Sequence, residues 1–309
     1  MTLDPEIAEY LRGQAALNLP PIWDVPISAT RKNSQLRYAY IGSNTPIHSI
    51  KDSYIPGPTS DLHIRIYKPT DSNHSSALVF FHGGGWALGF LDLYDPCLTR
   101  LAEKSGSTII SVNYQKSPEH PFPKPFDDCY ETLKWVVAHA HELGVDPTKI
   151  GVGGDSAGAN LAAAVALKAR DEKIVELRFQ MLIYPCLDTD FQTDSYLKYA
   201  EGFGLTTKAM QWFWENYLQD KTSEHNPYAR PIRAKGHHNL APAIIVAAEY
   251  DPLTSDSYKY AEQLKDSGVS VVLKEYPGMI HGFFTLIGVT QKANDAIDYC
   301  SSKIVELTL

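Results

Sequence analysis

Short apolar runs alternate with segments of helical periodicity along most of the chain, and this alternation constrains the fold more than any other feature. The dense runs are rich in Val, Ile, Leu and Phe, which is typical of strands buried on both faces of a parallel sheet. They lie at 77–81, 108–112, 150–153, 180–184 and 243–248, with 269–276 as the expected last strand. Apolar residues at helical spacing fill the gaps, at 96–105, 126–143, 157–170, 255–267 and 290–306. The alternation predicts a doubly wound α/β fold.

Three further parts of the chain have their own patterns. Residues 49–55 and 62–67 alternate apolar and polar side chains, which predicts antiparallel strands with one solvated face. Residues 1–45 look helical and are then interrupted by prolines, and residues 186–240 form a long excursion between two core strands. So long a connection is rarely an idle loop. We predict a mostly helical cap formed by 1–45 and 186–240, placed over an α/β core formed by 46–185 and 241–309.

Composition narrows the class of protein. The chain has 309 residues and a formal net charge of −8, and this acidic balance argues against nucleic acid as a partner. Four widely spaced cysteines without a Cys-x-x-Cys pair suit neither a zinc site nor a disulfide scaffold, so we expect reduced, buried thiols. The start of the chain has no signal-peptide pattern, and no apolar run is long enough for a membrane span. We therefore expect a cytoplasmic protein, with homo-oligomerisation left open.

A candidate nucleophile lies in Gly154-Asp155-Ser156-Ala157-Gly158. A predicted strand precedes this motif and a predicted helix follows it, which is the context of a nucleophile elbow. The two glycines allow the strand and helix backbones to approach closely, and the sharp turn would lift the Ser156 hydroxyl above the sheet. A glycine-rich turn without chemistry is the alternative for the motif alone. The strand-to-helix context favours the nucleophile.

A serine hydroxyl needs a base to take its proton, and two residues after later strands fit the supporting roles. His281 follows the last predicted strand, and an imidazole can accept and return a proton near neutral pH. Asp251 comes shortly after the predicted strand at 243–248. It would orient the imidazole and stabilise its charged form. A satisfied loop histidine and a helix N-cap are the alternatives for each residue taken singly. Their common position at strand ends favours a catalytic set with Ser156.

Glycines after the strand at 77–81 suggest a site for a developing oxyanion. The segment His82-Gly83-Gly84-Gly85-Trp86 lets the backbone approach a substrate and aim its N–H groups inward. We predict the amides of Gly84 and Gly85, with that of Ala157, as the donors. A phosphate-binding loop is disfavoured because no Gly-Lys-Ser/Thr follows.

Together these motifs resemble the hormone-sensitive-lipase-like family of esterases, which includes bacterial carboxylesterases and arylacetamide deacetylases. The resemblance covers about 50–309 and rests on 82–86, 118–123, 154–158, 251–253 and 281–283. It implies an α/β-hydrolase fold with an eight-stranded, mostly parallel sheet flanked by helices, and the chain order Ser156, Asp251, His281 is the order found in that fold. It further implies a serine carboxylesterase that hydrolyses short to medium acyl esters of small molecules without a cofactor.

The substrate pocket is harder to predict. Aromatic and apolar residues of the expected cap and glycine loop are either pocket lining or internal core, and the spacing favours neither. As candidate substrate-binding residues we take Trp86, Phe203, Leu205, Trp212 and Phe213.

Other functions stay open beside ester hydrolysis. An amidase or peptidase could use the same three side chains. A non-catalytic ligand receptor on this fold is disfavoured because His281, which gibberellin receptors have lost, is present. We expect no metal site, since His139 and His141 lie two apart on a predicted helix and so on different faces.

Overall fold

The predicted eight-stranded, mostly parallel sheet is confirmed in a computed structural model, which describes residues 2–71 and 75–309. Over that part of the chain the strands pair in the order β1-β2-β4-β3-β5-β6-β7-β8. Their bounds are β1 (Ser49–Ile55), β2 (Leu62–Lys68), β3 (Ala77–Phe81), β4 (Thr108–Val112), β5 (Ile150–Asp155), β6 (Gln180–Ile183), β7 (Ala243–Tyr250) and β8 (Val271–Ile280).

Strand direction follows the two kinds of sequence pattern. The dense apolar runs β3 to β8 pair in parallel with one another, and β3, β4, β5 and β6 are buried along their whole length. The alternating strands β1 and β2 pair antiparallel, and β2 is also antiparallel to β4. β1 is the half-exposed edge strand, as expected for a strand with one solvated face.

Helices connect the strands close to where periodicity predicts them. Their bounds are α1 (Pro5–Ala16), α2 (Ile27–Ser34), α3 (Asp95–Ser105), α4 (Lys124–Ala138), α5 (Ala140–Leu143), α6 (Ala157–Glu172), α7 (Asp194–Lys198), α8 (Thr207–Tyr217), α9 (Thr254–Asp266) and α10 (Gln291–Thr308). The single helix predicted at 126–143 is divided at His139, whose ψ of 17° leaves the helical region and whose ring nitrogen Nδ1 lies 2.9 Å from the carbonyl oxygen of Trp135. None of the helices in the described residues is both long and apolar enough to cross a membrane.

Alternate side chains of the central strands enter two cores, one on each face of the sheet. On β3, Val79 and Phe81 join the core covered by α4, α6 and α9, whereas Leu78 and Phe80 join the core covered by α3 and α10. This period of two is the signature of a strand buried on both faces. The helices therefore form two outer layers around the sheet.

Residues outside the alternation also fold mainly as helices. The N-terminal segment up to residue 45 contains α1, α2 and two 3₁₀ turns, and residues 186–240 contain α7 and α8. Arg31 in α2 fixes the N-terminal segment to the core: its guanidinium donates to the carbonyl oxygens of Ala87 and Ser117 at 2.9 and 3.0 Å and pairs with Glu119 at 2.7 Å.

Because both faces of β7 are buried, truncating a large side chain there should leave a cavity. We expect Ile244→Ala to lower the free energy of unfolding by about 2–5 kcal/mol, since Ile244 is fully buried and the surrounding core cannot fill the space. Ile50→Ala is the matched control on edge strand β1, where Ile50 is 41% exposed, and should cost less than about 1 kcal/mol. Urea unfolding of both variants checks this, and equal losses would contradict the two-core arrangement.

Candidate active site

Ser156 lies at the abrupt junction between β5 and α6. Its backbone has φ of 56° and ψ of −121°, a conformation that residues other than glycine rarely adopt. The backbone N–H of Ser156 donates to the carbonyl oxygen of Ile183 at 2.8 Å, and helix α6 begins at the next residue. The strained residue is thus held by the end of β6 on one side and by the first turn of a helix on the other.

Gly154 and Gly158, on either side of Ser156, lie where a side chain would not fit. A Cβ added at Gly158 would lie 1.9 Å from the carbonyl oxygen of Phe81, and one at Gly154 would lie 2.3 Å from the same atom. Both distances are far below van der Waals contact. The backbones of β3, β5 and α6 therefore meet at a point where no side chain fits.

His281 and Asp251 reach Ser156 from the ends of neighbouring strands. His281 follows β8 and Asp251 follows β7, so both lie at the same carboxyl edge of the sheet as Ser156. The Nε2 atom of His281 lies 2.8 Å from Oγ of Ser156, and Nδ1 of His281 lies 2.7 Å from Oδ2 of Asp251. The structure therefore brings the three predicted side chains into one hydrogen-bonded chain, in which a proton can pass from the hydroxyl to the imidazole.

The surroundings hold this chain in place. Asp251 is fully buried, and its second oxygen accepts a hydrogen bond from the backbone N–H of Leu253 at 2.9 Å. Tyr184 packs against the imidazole of His281 with ring centroids 4.6 Å apart. Gly282 has φ of 82° and turns the chain immediately after His281. Both carboxylate oxygens of Asp251 and one face of the imidazole are thus in contact with the protein.

The glycine loop after β3 presents free backbone donors beside Ser156. Gly84 and Gly85 have φ of 109° and 60°, which favour glycine. Among the described residues, the amides of Gly84, Gly85 and Ala157 donate to no hydrogen-bond acceptor, and Gly84, Gly85 and Ser156 line the same cavity. Amides in this position can stabilise a negative charge that develops on a substrate oxygen.

Asp155 fixes the glycine loop to the nucleophile turn. Its Oδ1 accepts a hydrogen bond from the N–H of Gly83 at 2.7 Å, and its Oδ2 accepts one from the hydroxyl of Tyr94 at 3.2 Å. Burial raises the pKa of Asp155, and the bond from Gly83 acts in the opposite direction. The sequence gives no signal for this contact, because Gly83 and Asp155 are 72 positions apart.

A cavity of about 430 Å³ opens above Ser156. Of the five predicted substrate-binding residues, Leu205 and Phe213 line it, and Trp86, Phe203 and Trp212 do not. The ring of Phe213 lies over Gly85, where a Cβ would come within 2.1 Å of it. The missing side chain at Gly85 therefore makes room for a cavity wall supplied by α8.

The other three residues are packed into the protein interior or against other rings. Trp86 is fully buried and stacks on Tyr217 with centroids 4.1 Å apart and planes at 3°. Phe203 stacks on Tyr250 at 5.1 Å, and Trp212 packs edge-on against Phe213 at 5.2 Å. The structure thus differs from the prediction that Trp86, Phe203 and Trp212 line the pocket, because their rings pack against other aromatic side chains.

Much of the cavity wall comes from the N-terminal segment, for which the sequence predicted no binding residue. Residues of α1, α2 and the turns after them contribute both apolar and polar groups, among them Tyr10, Gln14, Ile22, Thr30 and Arg37. Across the described residues, no group of three or more His, Cys, Asp or Glu side chains is arranged to hold a metal ion.

Comparison with known proteins agrees with this geometry. Residues 78–285 match the family model described as the alpha/beta hydrolase fold. The chain therefore belongs to the α/β-hydrolase fold family, and the predicted family resemblance is confirmed.

Individual relatives are esterases by name. The chain is 37% identical over 243 residues to the carboxylic ester hydrolase LipN of Mycobacterium tuberculosis, a match that covers 77% of this chain and 65% of LipN. It is 30% identical over 309 residues to an ethyl acetate hydrolase of Pseudomonas putida, covering 96% of each. The structure of a hyperthermophilic esterase from the archaeon Pyrobaculum calidifontis superposes with a TM-score of 0.93 at 37% identity, covering 99% of both chains.

The contact between Gly158 and the Phe81 carbonyl yields a direct test. We expect Gly158→Ala to lower the free energy of unfolding by more than about 2 kcal/mol, because the added methyl group meets rigid backbone. Gly236→Ala is the matched control, since a Cβ there has His238 as its nearest neighbour at 3.7 Å. Thermal unfolding of both variants, with soluble yield as a second readout, measures the difference. A Gly158→Ala protein as stable as the control would refute the close approach.

Proposed function

We propose that this protein is a serine carboxylesterase that hydrolyses esters of small molecules through an acyl-enzyme formed on Ser156. The observation that carries the proposal is the continuous chain of hydrogen bonds from Ser156 Oγ through His281 to Asp251, at 2.8 and 2.7 Å. Membership of the family and the names of the relatives support the ester as the bond that is cleaved.

Acylation follows from the positions of these groups. Ser156 Oγ attacks the ester carbonyl carbon while Nε2 of His281 takes the hydroxyl proton. Asp251 accepts the hydrogen bond from Nδ1–H, which fixes the imidazole tautomer and stabilises the imidazolium. His281 then gives the proton to the leaving alcohol oxygen, and the carbonyl reforms as the alcohol departs.

The carbonyl oxygen becomes an oxyanion in this step, and we propose that three backbone amides donate hydrogen bonds to it. We assign Gly84, Gly85 and Ala157 to this role because their N–H groups have no acceptor among the described residues. Ala157 is the first residue of α6, so the positive end of the helix dipole adds to its effect. Removing one such donor typically costs roughly 10²–10³ in rate.

Deacylation repeats the sequence with water as the nucleophile. His281 takes a proton from the water, the water oxygen attacks the acyl carbon, and Ser156 leaves as the free hydroxyl once His281 returns the proton. The acid product is released, and no cofactor takes part in this sequence.

We further propose that residues 1–45 and 186–240 act together as a cap. Both segments contribute side chains to the cavity over Ser156, from α1 and α2 on one side and from α8 on the other. A substrate that reaches the nucleophile is therefore enclosed by these helices. Leu205 and Phe213 are the cap residues from the second segment that we assign to substrate binding.

Replacing the nucleophile tests the mechanism. We expect Ser156→Ala to lower kcat for p-nitrophenyl butyrate by roughly 10⁴-fold or more, because removal of a nucleophile leaves only the oxyanion donors and binding. Ser302→Ala, an exposed serine on α10, is the matched control and should keep full activity. Thermal unfolding of both variants shows whether the fold is retained. Near-normal turnover by a folded Ser156→Ala protein would overturn the proposal.

A serine-directed organophosphonate provides a second check on the same proposal. It should inactivate the protein with covalent labelling at Ser156, whereas a non-catalytic receptor on this fold would bind it without reaction. Mass spectrometry of the labelled peptide identifies the modified residue.

Cavity size sets the expected acyl length. A space of about 430 Å³ walled by Leu205, Phe213 and the N-terminal helices favours acyl groups of roughly six carbons or fewer. A series of p-nitrophenyl esters of increasing chain length, compared by kcat/KM, measures this preference. Strong activity on emulsified long-chain triglyceride would contradict it.

A further inference from the structure

Arg37 is a cation placed in the wall of the cavity without an ion-pair partner. It belongs to the 3₁₀ turn Gln35–Ala39 that follows α2, and it lines the same cavity as Ser156 and His281. Over residues 2–71 and 75–309, no carboxylate oxygen lies within 4 Å of its guanidinium, whereas nearby Arg31 is paired with Glu119 at 2.7 Å. An arginine in a cavity wall that forms no ion pair has N–H donors available for an anionic ligand.

The hydrogen bonds of Arg37 leave part of its guanidinium unused. Nη2 donates to the carbonyl oxygen of Gly282 at 3.3 Å and to Oγ1 of Thr285 at 3.0 Å, and both acceptors are neutral. Nε and Nη1 donate to no acceptor in the described part of the chain. Neither atom is among the enclosed polar atoms that lack a partner, so both keep some accessible surface, and Arg37 lines the cavity. An arginine presents its free donors in a planar fork that fits a carboxylate.

Arg37 keeps its charge under all conditions in which the protein would be assayed. Burial, the strongest influence, lowers its pKa, but nearby acidic groups together raise the pKa above its ordinary value. These groups are Tyr10, Tyr94, Tyr184 and Asp155. Asp155 is the carboxyl group among them, and both of its oxygens already accept hydrogen bonds, from Gly83 and Tyr94.

The contact with Gly282 places Arg37 next to the chain segment that carries His281. Gly282 directly follows His281, the residue that must protonate the departing alcohol oxygen. The oxyanion instead points towards Gly84 and Gly85 on the glycine loop. Because His281 must reach the alcohol oxygen, we expect the alcohol part of a bound ester on the side of His281, where Arg37 also lines the cavity.

A second donor from the N-terminal segment lies close by. Gln14 lines the cavity from α1, and its Nε2 is enclosed without an acceptor. It is one helical turn from Tyr10 on the same face of α1, and Tyr10 is within electrostatic reach of Arg37. Two unpaired donors in one wall call for a ligand that brings acceptor atoms.

We propose that Arg37 binds a carboxylate on the alcohol part of the substrate, so that the preferred substrates are hydroxy acids that are acylated on the hydroxyl group and keep a free carboxylate. The inference rests on the proposed esterase function and adds a substrate class to it. Arg37 is a specificity-determining residue on this account. The bond cleaved and the groups that cleave it are unchanged.

Two matched aryl acetates test the proposal. The alcohol part of para-acetoxybenzoate carries a carboxylate, and para-acetoxybenzamide replaces this carboxylate with a neutral amide of similar size. The para position prevents the carboxylate from attacking the ester within the same molecule. The measured quantity is the selectivity ratio, kcat/KM for the benzoate over kcat/KM for the benzamide, divided by the ratio of their hydroxide-catalysed rates.

We expect a selectivity ratio clearly above one for the natural sequence, and a fall of about tenfold or more in Arg37→Gln, the loss expected when a charge-assisted hydrogen bond is removed. Arg37→Lys should retain part of the preference, because it keeps the charge and loses the fork. Arg12→Gln is the matched control: it removes one positive charge from the exposed side of α1 and should leave the ratio unchanged. Thermal unfolding verifies that each variant is folded.

The outcomes separate the two proposals. A natural-sequence protein that hydrolyses p-nitrophenyl butyrate with a selectivity ratio of one or less overturns the assignment of Arg37 and leaves the esterase intact. An equal fall for both aryl acetates in Arg37→Gln also overturns it, because Arg37 then acts on His281 through Gly282 and not on the substrate. Failure to hydrolyse any of the three esters overturns the esterase function itself. If Arg37→Gln does not fold, the ratio for the natural sequence and its change in Arg37→Lys still decide the matter.

Discussion

The carbonyl oxygen of Phe81, at the end of β3, is the fixed point around which the reactive edge of the sheet is built. Gly154 and Gly158 both approach it so closely that neither can carry a side chain. Because the strand and helix meet there, the chain must turn within a single residue, and that residue is Ser156 with its φ of 56°. The same approach brings the first turn of α6 beside the glycine loop. One steric constraint thus places Ser156 and the free backbone donors together.

Side chains then complete what the backbone begins. Asp155 extends from the turn at Ser156 to the N–H of Gly83 at 2.7 Å, which links the glycine loop to that turn. Asp251 binds both His281 and the backbone of Leu253, and so sets the imidazole against the hydroxyl. The contacts of Asp155 with Gly83 and of Asp251 with His281 each link the carboxyl ends of two different strands. The order of the site therefore depends on the parallel sheet, which brings these strand ends to one edge.

The sheet and the three central side chains could be predicted because each has a local signal. Strand runs, helix periodicity and a glycine-flanked serine are all read within a few residues, and the parallel sheet then determines where Ser156, Asp251 and His281 meet. The cavity wall has no such signal. The sequence shows that Trp86 and Phe203 are aromatic, but an aromatic partner such as Tyr217 or Tyr250 becomes evident only when distant segments pack. The same holds for Arg37, which is 245 positions from the glycine it contacts.

Reactivity and selectivity consequently depend on different parts of the chain. Ser156 is held by backbone geometry at a strand end, where Gly154 and Gly158 leave no room for even one methyl group. Much of the lining comes instead from the N-terminal segment, which is attached to the core by side chains such as Arg31, with its bonds to Ala87, Ser117 and Glu119, and by backbone bonds such as that from Asp4 to Gly278. The lining side chains themselves project into the cavity, where substitutions away from tight contacts usually cost little stability. The lining can therefore change with the substrate while the reactive edge stays as it is.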